Sequence, residues 1–233
     1  MKCPSFLLFS FLLMTGLGTT FSGAQNSFYF MPSLIYSDEQ LQIQNDVYHI
    51  PGTSLKIEVL KFYIAHVMVS GECDDHPSNI DDYSLVDFFE DIAPIKIYNP
   101  CFISPSKNFS FQLGVDSAIQ EVGVQSGVLD PMKGMYWTWN SGYIHFKLEL
   151  KDTTSRGPDR EIILHLGGYR GDQSTIQQVL CKNLSTENNQ LYFDIKPLID
   201  YCQSQGIHKV MSPGKESVEL SKIIAHSFFL RQQ

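Results

Sequence analysis

"GMYWTWNSGYIHFKLEL", Gly134 to Leu150, is the stretch whose reading decides the fold. Side chains alternate across an extended chain, so Met135, Trp137 and Trp139 share one face while Tyr136, Thr138 and Asn140 share the other. Asn140-Ser141-Gly142 reads as a turn or bulge. Beyond it Ile144, Phe146 and Leu148 form an apolar row, and Tyr143, His145, Lys147 and Glu149 form a polar one. The stretch is therefore two strands with a tight connection, and it carries both tryptophans of the chain. His145 is expected to point away from the apolar row, as an exposed strand histidine.

Working outward, similar short segments recur between turn residues. They are Phe28 to Leu34, Ser54 to Val69, Ile95 to Tyr98, Asn108 to Leu113, Gly134 to Trp139, Tyr143 to Leu150, Glu161 to Leu166 and Leu191 to Ile195. Alternation at period two and turn signals at this spacing predict an all-β fold, an antiparallel β-sandwich or a barrel-like relative of one. Two helices are expected. One is a short segment around Ser84 to Phe89; the other lies near the C-terminus, where Val218, Ile223, Ile224 and Phe228 recur at helical spacing. No internal repeat, low-complexity tract or linker divides the chain.

The N-terminus reads as a signal peptide over residues 1–24. Lys2 is the basic head, Phe6 to Leu17 is the apolar stretch, and Ser22-Gly23-Ala24 offers small residues for cleavage before Gln25. A membrane-spanning helix needs about 20 apolar residues, and this run is broken by Thr15, Gly16, Gly18, Thr19 and Thr20. Residues 25–233 then form one domain, periplasmic or secreted, with no membrane span in the mature chain. The formal charge of −8 and the scattered Lys and Arg residues argue against a nucleic-acid or anionic-membrane partner.

Cleavage removes Cys3 and leaves Cys73, Cys101, Cys181 and Cys202. An even number of cysteines in an exported chain predicts two disulfides, with the near neighbours Cys73–Cys101 and Cys181–Cys202 preferred among the three connectivities. A thiolate metal site is disfavoured, since there is no C-x-x-C pair.

Catalytic signatures are absent: there is no Gly-x-Ser-x-Gly elbow, His-Glu-x-x-His helix, phosphate loop or dinucleotide fingerprint, so an enzyme is not expected. The acidic segment "GECDDHPSNIDD" lacks the ligand spacing of an EF-hand loop. Among the histidines, His165 stands out. It sits inside the apolar strand "EIILHLGG", just before Gly167-Gly168, where glycines permit a bulge or a close backbone approach. It is either a core histidine satisfied by hydrogen bonds or a metal ligand.

"LGVDSAIQ", "GVLDPMKGMYWTWNSGYIHFKLEL", "LHLGG" and "VMSPG", in this order, resemble the MbnP-like family, the methanobactin-associated periplasmic copper-binding proteins and their relatives. The resemblance runs from about Ser27 to Phe229. It implies an exported β-rich protein that binds a copper ion, in some members after a partner dihaem enzyme has oxidised a tryptophan to kynurenine. On this chain the resemblance implies Trp137 or Trp139 as the oxidised residue, with His165 and His145 as candidate copper ligands. Imidazole nitrogen suits copper, and an apolar wall with few ligands suits the reduced ion. The alternative is a metal-free structural or interaction module of the cell envelope, in which Met135, Trp137 and Trp139 merely pack.

Overall fold

The computed structural model describes residues 28–230, apart from 46, 70–81, 91, 93, 98–107, 141, 155–160 and 183–189. Two sheets face each other. The smaller contains β1 (Phe28–Tyr36), β2 (Glu39–Gln40), β7 (Ile95–Ile97), β13 (Gln190–Asp194) and β15 (Phe228–Leu230), in the order β15-β13-β1-β2 with β7 also on β1. The larger is built on β12 (Gln177–Cys181), β8 (Phe109–Leu113), β5 (Leu55–Val69), β10 (Gly142–Asp152), β11 (Glu161–Gly167) and β14 (Lys209–Val210), in that order. The short strands β3 (Ile43–Gln44), β4 (Val47–His49), β6 (Ser84–Asp87) and β9 (Tyr136–Trp137) add to its margins. This is the expected all-β sandwich, and it does not close into a barrel. Pairing is mainly antiparallel, but β1 with β13 and β11 with β14 run parallel.

The main core lies between the sheets, where alternate residues of each strand point inward. Phe62 of β5 and Phe146 of β10 stack with centroids 6.0 Å apart, and Phe193 and Phe228 of the opposite sheet meet Phe62 at 5.8 and 5.4 Å. Such aromatic pairs add to the area they bury. A second, smaller core sits on the outer face of the larger sheet. There Tyr63 and Ala65 of β5 and Tyr143 and Ile144 of β10 are covered by Val115, Leu129, Met135 and Trp137. The cover is the excursion from Gly114 to Met135, which holds helix α1 (Ser117–Val122) and two single 3₁₀ turns.

Three expectations change. Ser84 to Phe89 is not helical: Ser84–Asp87 is strand β6, paired with Lys61 to Ile64 of β5 and tied by a Lys61–Asp87 ion pair of 2.6 Å. Six residues are too few for a helix to hold its own against a sheet edge. The helix near the C-terminus is present as α3 (Lys215–His226), but α2 (Lys196–Gln205) was not foreseen. Its signals were there: Pro197 in the first turn, and Gly206 in the left-handed conformation closing the C-terminus. Finally, the Cys181–Cys202 bridge is not formed. Cys181 points inward from β12 and Cys202 from the buried face of α2, and both are free, buried thiols serving as core side chains. Cys73, Cys101 and the signal segment 1–24 lie outside the described residues.

Candidate functional site

The four sequence motifs converge at one end of the larger sheet. A cleft of about 300 Å³ opens there, lined by Gln120 of α1, Trp137, Asn140 and Gly142 around the β9–β10 turn, Gly168, Tyr169, Arg170 and Gln173 after β11, and Pro213 before α3. Gln120 belongs to "LGVDSAIQ" and Pro213 to "VMSPG". Sequence reasoning gave neither a role, because the motifs are far apart in the chain and only the fold joins them.

The tryptophans differ sharply in setting. Strand β9 ends at Trp137, which is only 4% exposed, whereas Trp139 falls in the following turn and is 64% exposed. The indole rings still meet, with centroids 5.6 Å apart. Trp137 is seated on the backbone of Gly167. A Cβ built at Gly167 would lie 2.5 Å from the Tyr143 carbonyl oxygen and 2.8 Å from the six-membered ring of Trp137, so only glycine admits this approach. The buried Nε1–H of Trp137 has no acceptor among the described residues.

His145 is not an exposed strand histidine. It is 1% exposed, at a bulge between Ile144 and Phe146. The side of the strand was read correctly, but the Gly114–Met135 excursion covers it. The hydrogen bonds fix the tautomer. Gln120 Oε1 accepts from the Tyr143 N–H (3.1 Å), and Gln120 Nε2 donates to the Val115 carbonyl (2.8 Å) and to His145 Nε2 (2.9 Å). His145 Nδ1–H is left to donate to Thr175 Oγ1 (2.9 Å), whose hydroxyl donates to the Gly168 carbonyl (3.4 Å). Burial holds its pKa down to about 3, so the ring is neutral. Gly114 packs on the ring so closely that a Cβ there would sit 2.9 Å from Nδ1. Both nitrogens are thus spent on holding α1, β10 and the segment after β11 together.

His165 lies on the outer face of β11, opposite Lys147. Its Nε2–H donates to Glu149 Oε1 at 2.8 Å, and Lys147 Nζ lies 3.5 Å from the same oxygen. Burial is the main cause lowering its pKa, opposed by the Glu149 hydrogen bond and assisted by Lys147 and Lys209. A carboxylate on one nitrogen leaves the other as the ring's lone-pair donor, the arrangement common behind metal-bound histidines. Gly167 is two residues on and on the same face, about 6.6 Å along the strand, so Trp137 and His165 occupy neighbouring positions on one surface.

His66, His226 and His49 do not join them. His66, at a positive φ of 48° in a bulge of β5, bonds Asp116 Oδ2 at 2.6 Å. The same carboxylate accepts from Tyr83 Oη and from Gln112 Nε2 (3.0 Å). His226 uses Nδ1 on the Lys222 carbonyl, and His49 is exposed. Among the described residues no three His, Cys, Asp or Glu side chains converge as a ready metal site. Among the described residues, then, the donors do not form a multi-ligand metal centre, and His165 stands as a single imidazole.

These features define a β-sandwich with a cleft and an aromatic wall at one end of its larger sheet. The family model that matches the chain is MbnP, over residues 26–212, and the chain belongs to the MbnP family. Among solved structures, MbnP from Methylosinus trichosporium is similar, with 13% identity, 75% of this chain and 77% of that chain covered, and a TM-score of 0.49. No curated protein matches. No helix among the described residues is long and apolar enough to cross a membrane.

Proposed function

We propose that this is an exported copper-binding protein, with the metal held at His165 beside the Trp137–Trp139 wall and Trp139 as the residue open to oxidation by a partner. One relationship carries the reading: Trp137 rests on Gly167, next to His165 on the same face, and an exposed Trp139 leans on Trp137. An indole meant to lose electrons to an external oxidant must be reachable, and Trp139 is. Burial favours the neutral form of His165 and the hydrogen bond to Glu149 orients the ring, as a ligand requires. His145 drops out as a ligand, because Gln120 occupies its lone pair.

Coordination number selects the oxidation state. Around His165 the amines of Lys147 and Lys209 oppose positive charge while the Glu149 carboxylate favours it, so local charge does not discriminate. A site with few ligands beside an apolar wall suits the reduced ion. Competition against a colorimetric Cu(I) chelator tests this. Wild type should withdraw Cu(I) and His165→Ala should withdraw none, while His145→Ala, if folded, should retain it. Equal retention by wild type and His165→Ala would overturn the site. No retention by either would favour a metal-free envelope module.

A further inference from the structure

The cleft has a chemistry that copper does not use. Of its polar lining, Gln120 is fully engaged within the protein by Tyr143, Val115 and His145. Asn140 and Gln173 offer side-chain amides with no protein partner among the described residues, and Arg170 has no carboxylate within ion-pair distance among them. The Arg170 guanidinium instead lies over the Tyr169 ring, 4.8 Å from its centroid. That contact restrains the guanidinium fork beside the opening. The chain is acidic overall, with 25 Asp and Glu against 17 Lys and Arg, so an uncompensated guanidinium among amides is a local reversal of its charge.

We propose that this cleft binds a small planar carboxylate. A guanidinium presents parallel N–H donors that match the two oxygens of a carboxylate. Tyr169 and the accessible edge of the largely buried Trp137 supply apolar surface for a planar body, and the amides of Asn140 and Gln173 can accept or donate at its edges. The volume, about 300 Å³, is at the lower end for organic ligand sites and suits a single ring rather than an extended chain. At Gly168 the place of a Cβ is taken by the Gln173 carbonyl and Pro213, which close that side of the cleft. The site is independent of the copper reading, since it uses neither His165 nor a metal.

The test uses the full mature chain carrying Trp139→Phe, kept metal-free by a chelator, so that Trp137 supplies the one indole N–H resonance. Benzoate is titrated as the probe, with benzamide as its neutral isostere and inorganic phosphate as a tetrahedral anion. Benzoate should shift the Trp137 resonance saturably, with benzamide and phosphate at least tenfold weaker. Arg170→Gln, a change at an exposed position, should weaken benzoate at least tenfold while leaving thermal unfolding unchanged. No saturable shift with benzoate, equal binding of benzamide or phosphate, or undiminished binding by Arg170→Gln would each overturn the proposal. Copper retention by the same variants is read separately, so failure here leaves the copper reading standing.

Discussion

Trp137 lies against the backbone of Gly167, with its six-membered ring 2.8 Å from where a Cβ would stand. The aromatic wall therefore depends on the absence of a methyl group in the neighbouring strand. Gly167→Ala should displace the indole or part β10 from β11, and overpacking of this kind costs about 1–3 kcal/mol. Chemical denaturation should show that loss together with a moved Trp137 indole N–H resonance. Gly171→Ala, where a Cβ meets nothing within 4 Å but the φ of +54° strains an alanine, should cost stability yet leave the resonance in place. An unmoved resonance in Gly167→Ala would remove the packing argument.

His145 should remain neutral throughout the ordinary pH range. Its pKa in the folded chain is held down to about 3, against about 6.5 when unfolded. As pH falls below about 6.5 the unfolded state takes up a proton that the folded state refuses, so stability drops by up to about 1.4 kcal/mol per pH unit from this group until pH approaches 3. Ring NMR signals of His145 should not titrate between pH 8 and 5. A midpoint near the usual histidine value would mean that the Gln120–His145–Thr175 chain is not closed.

The two histidines that hold the start of the Gly114–Met135 excursion, His145 and His66, respond to pH with opposite sign. At Asp116 the His66 pKa is raised, chiefly by the side-chain hydrogen bond to that carboxylate and against the effect of burial, with Asp82 adding to the rise. Protonated His66 therefore stabilises the fold below about pH 6.5, and this contribution fades as pH rises through its folded pKa. The Asp116 carboxyl is held well below its usual range; burial alone would raise it, but the hydrogen bonds from His66, Tyr83 and Gln112 outweigh that. Asp116→Asn should bring the His66 NMR titration midpoint down. A midpoint unchanged by that substitution would show that the pair is not formed in solution.

Much of the sandwich was legible because period-two alternation is a local signal: β5, β8, β10 and β11 lie where Ser54 to Val69, Asn108 to Leu113, Tyr143 to Leu150 and Glu161 to Leu166 were read. Burial of the outer face was not legible. Tyr143 and His145 alternate out of the main core as expected, yet the Gly114–Met135 excursion folds over them and makes a second core. Trp139 was placed on the same strand face as Trp137, but the strand stops before it, and the turn turns it to solvent. Gln120, Thr175 and Pro213 escaped notice as site residues for a related reason: a lone glutamine or threonine has no periodicity, and its role exists only once distant segments are brought together.

Cys181 and Cys202 should behave as core residues. Burial pushes both thiols up to about 12, Cys202 with a further contribution from Glu216, so neither is a thiolate near neutral pH. In the native protein both should react with a disulfide reagent at pH 8 only as fast as the chain opens. In denaturant without reductant both should react at once. Protection that persists in denaturant and disappears with reductant would show that they are bridged after all.

The most direct measurement is metal analysis and peptide mass spectrometry of this protein purified from its native host, together with a His165→Ala form made in the same host. We expect one copper per wild-type chain, a kynurenine mass signature in the peptide from Gly134 to Leu150 localised to Trp139, and no copper in His165→Ala. Copper-free wild-type chains with both tryptophans unmodified, or copper retained in full by His165→Ala, would contradict the proposed site.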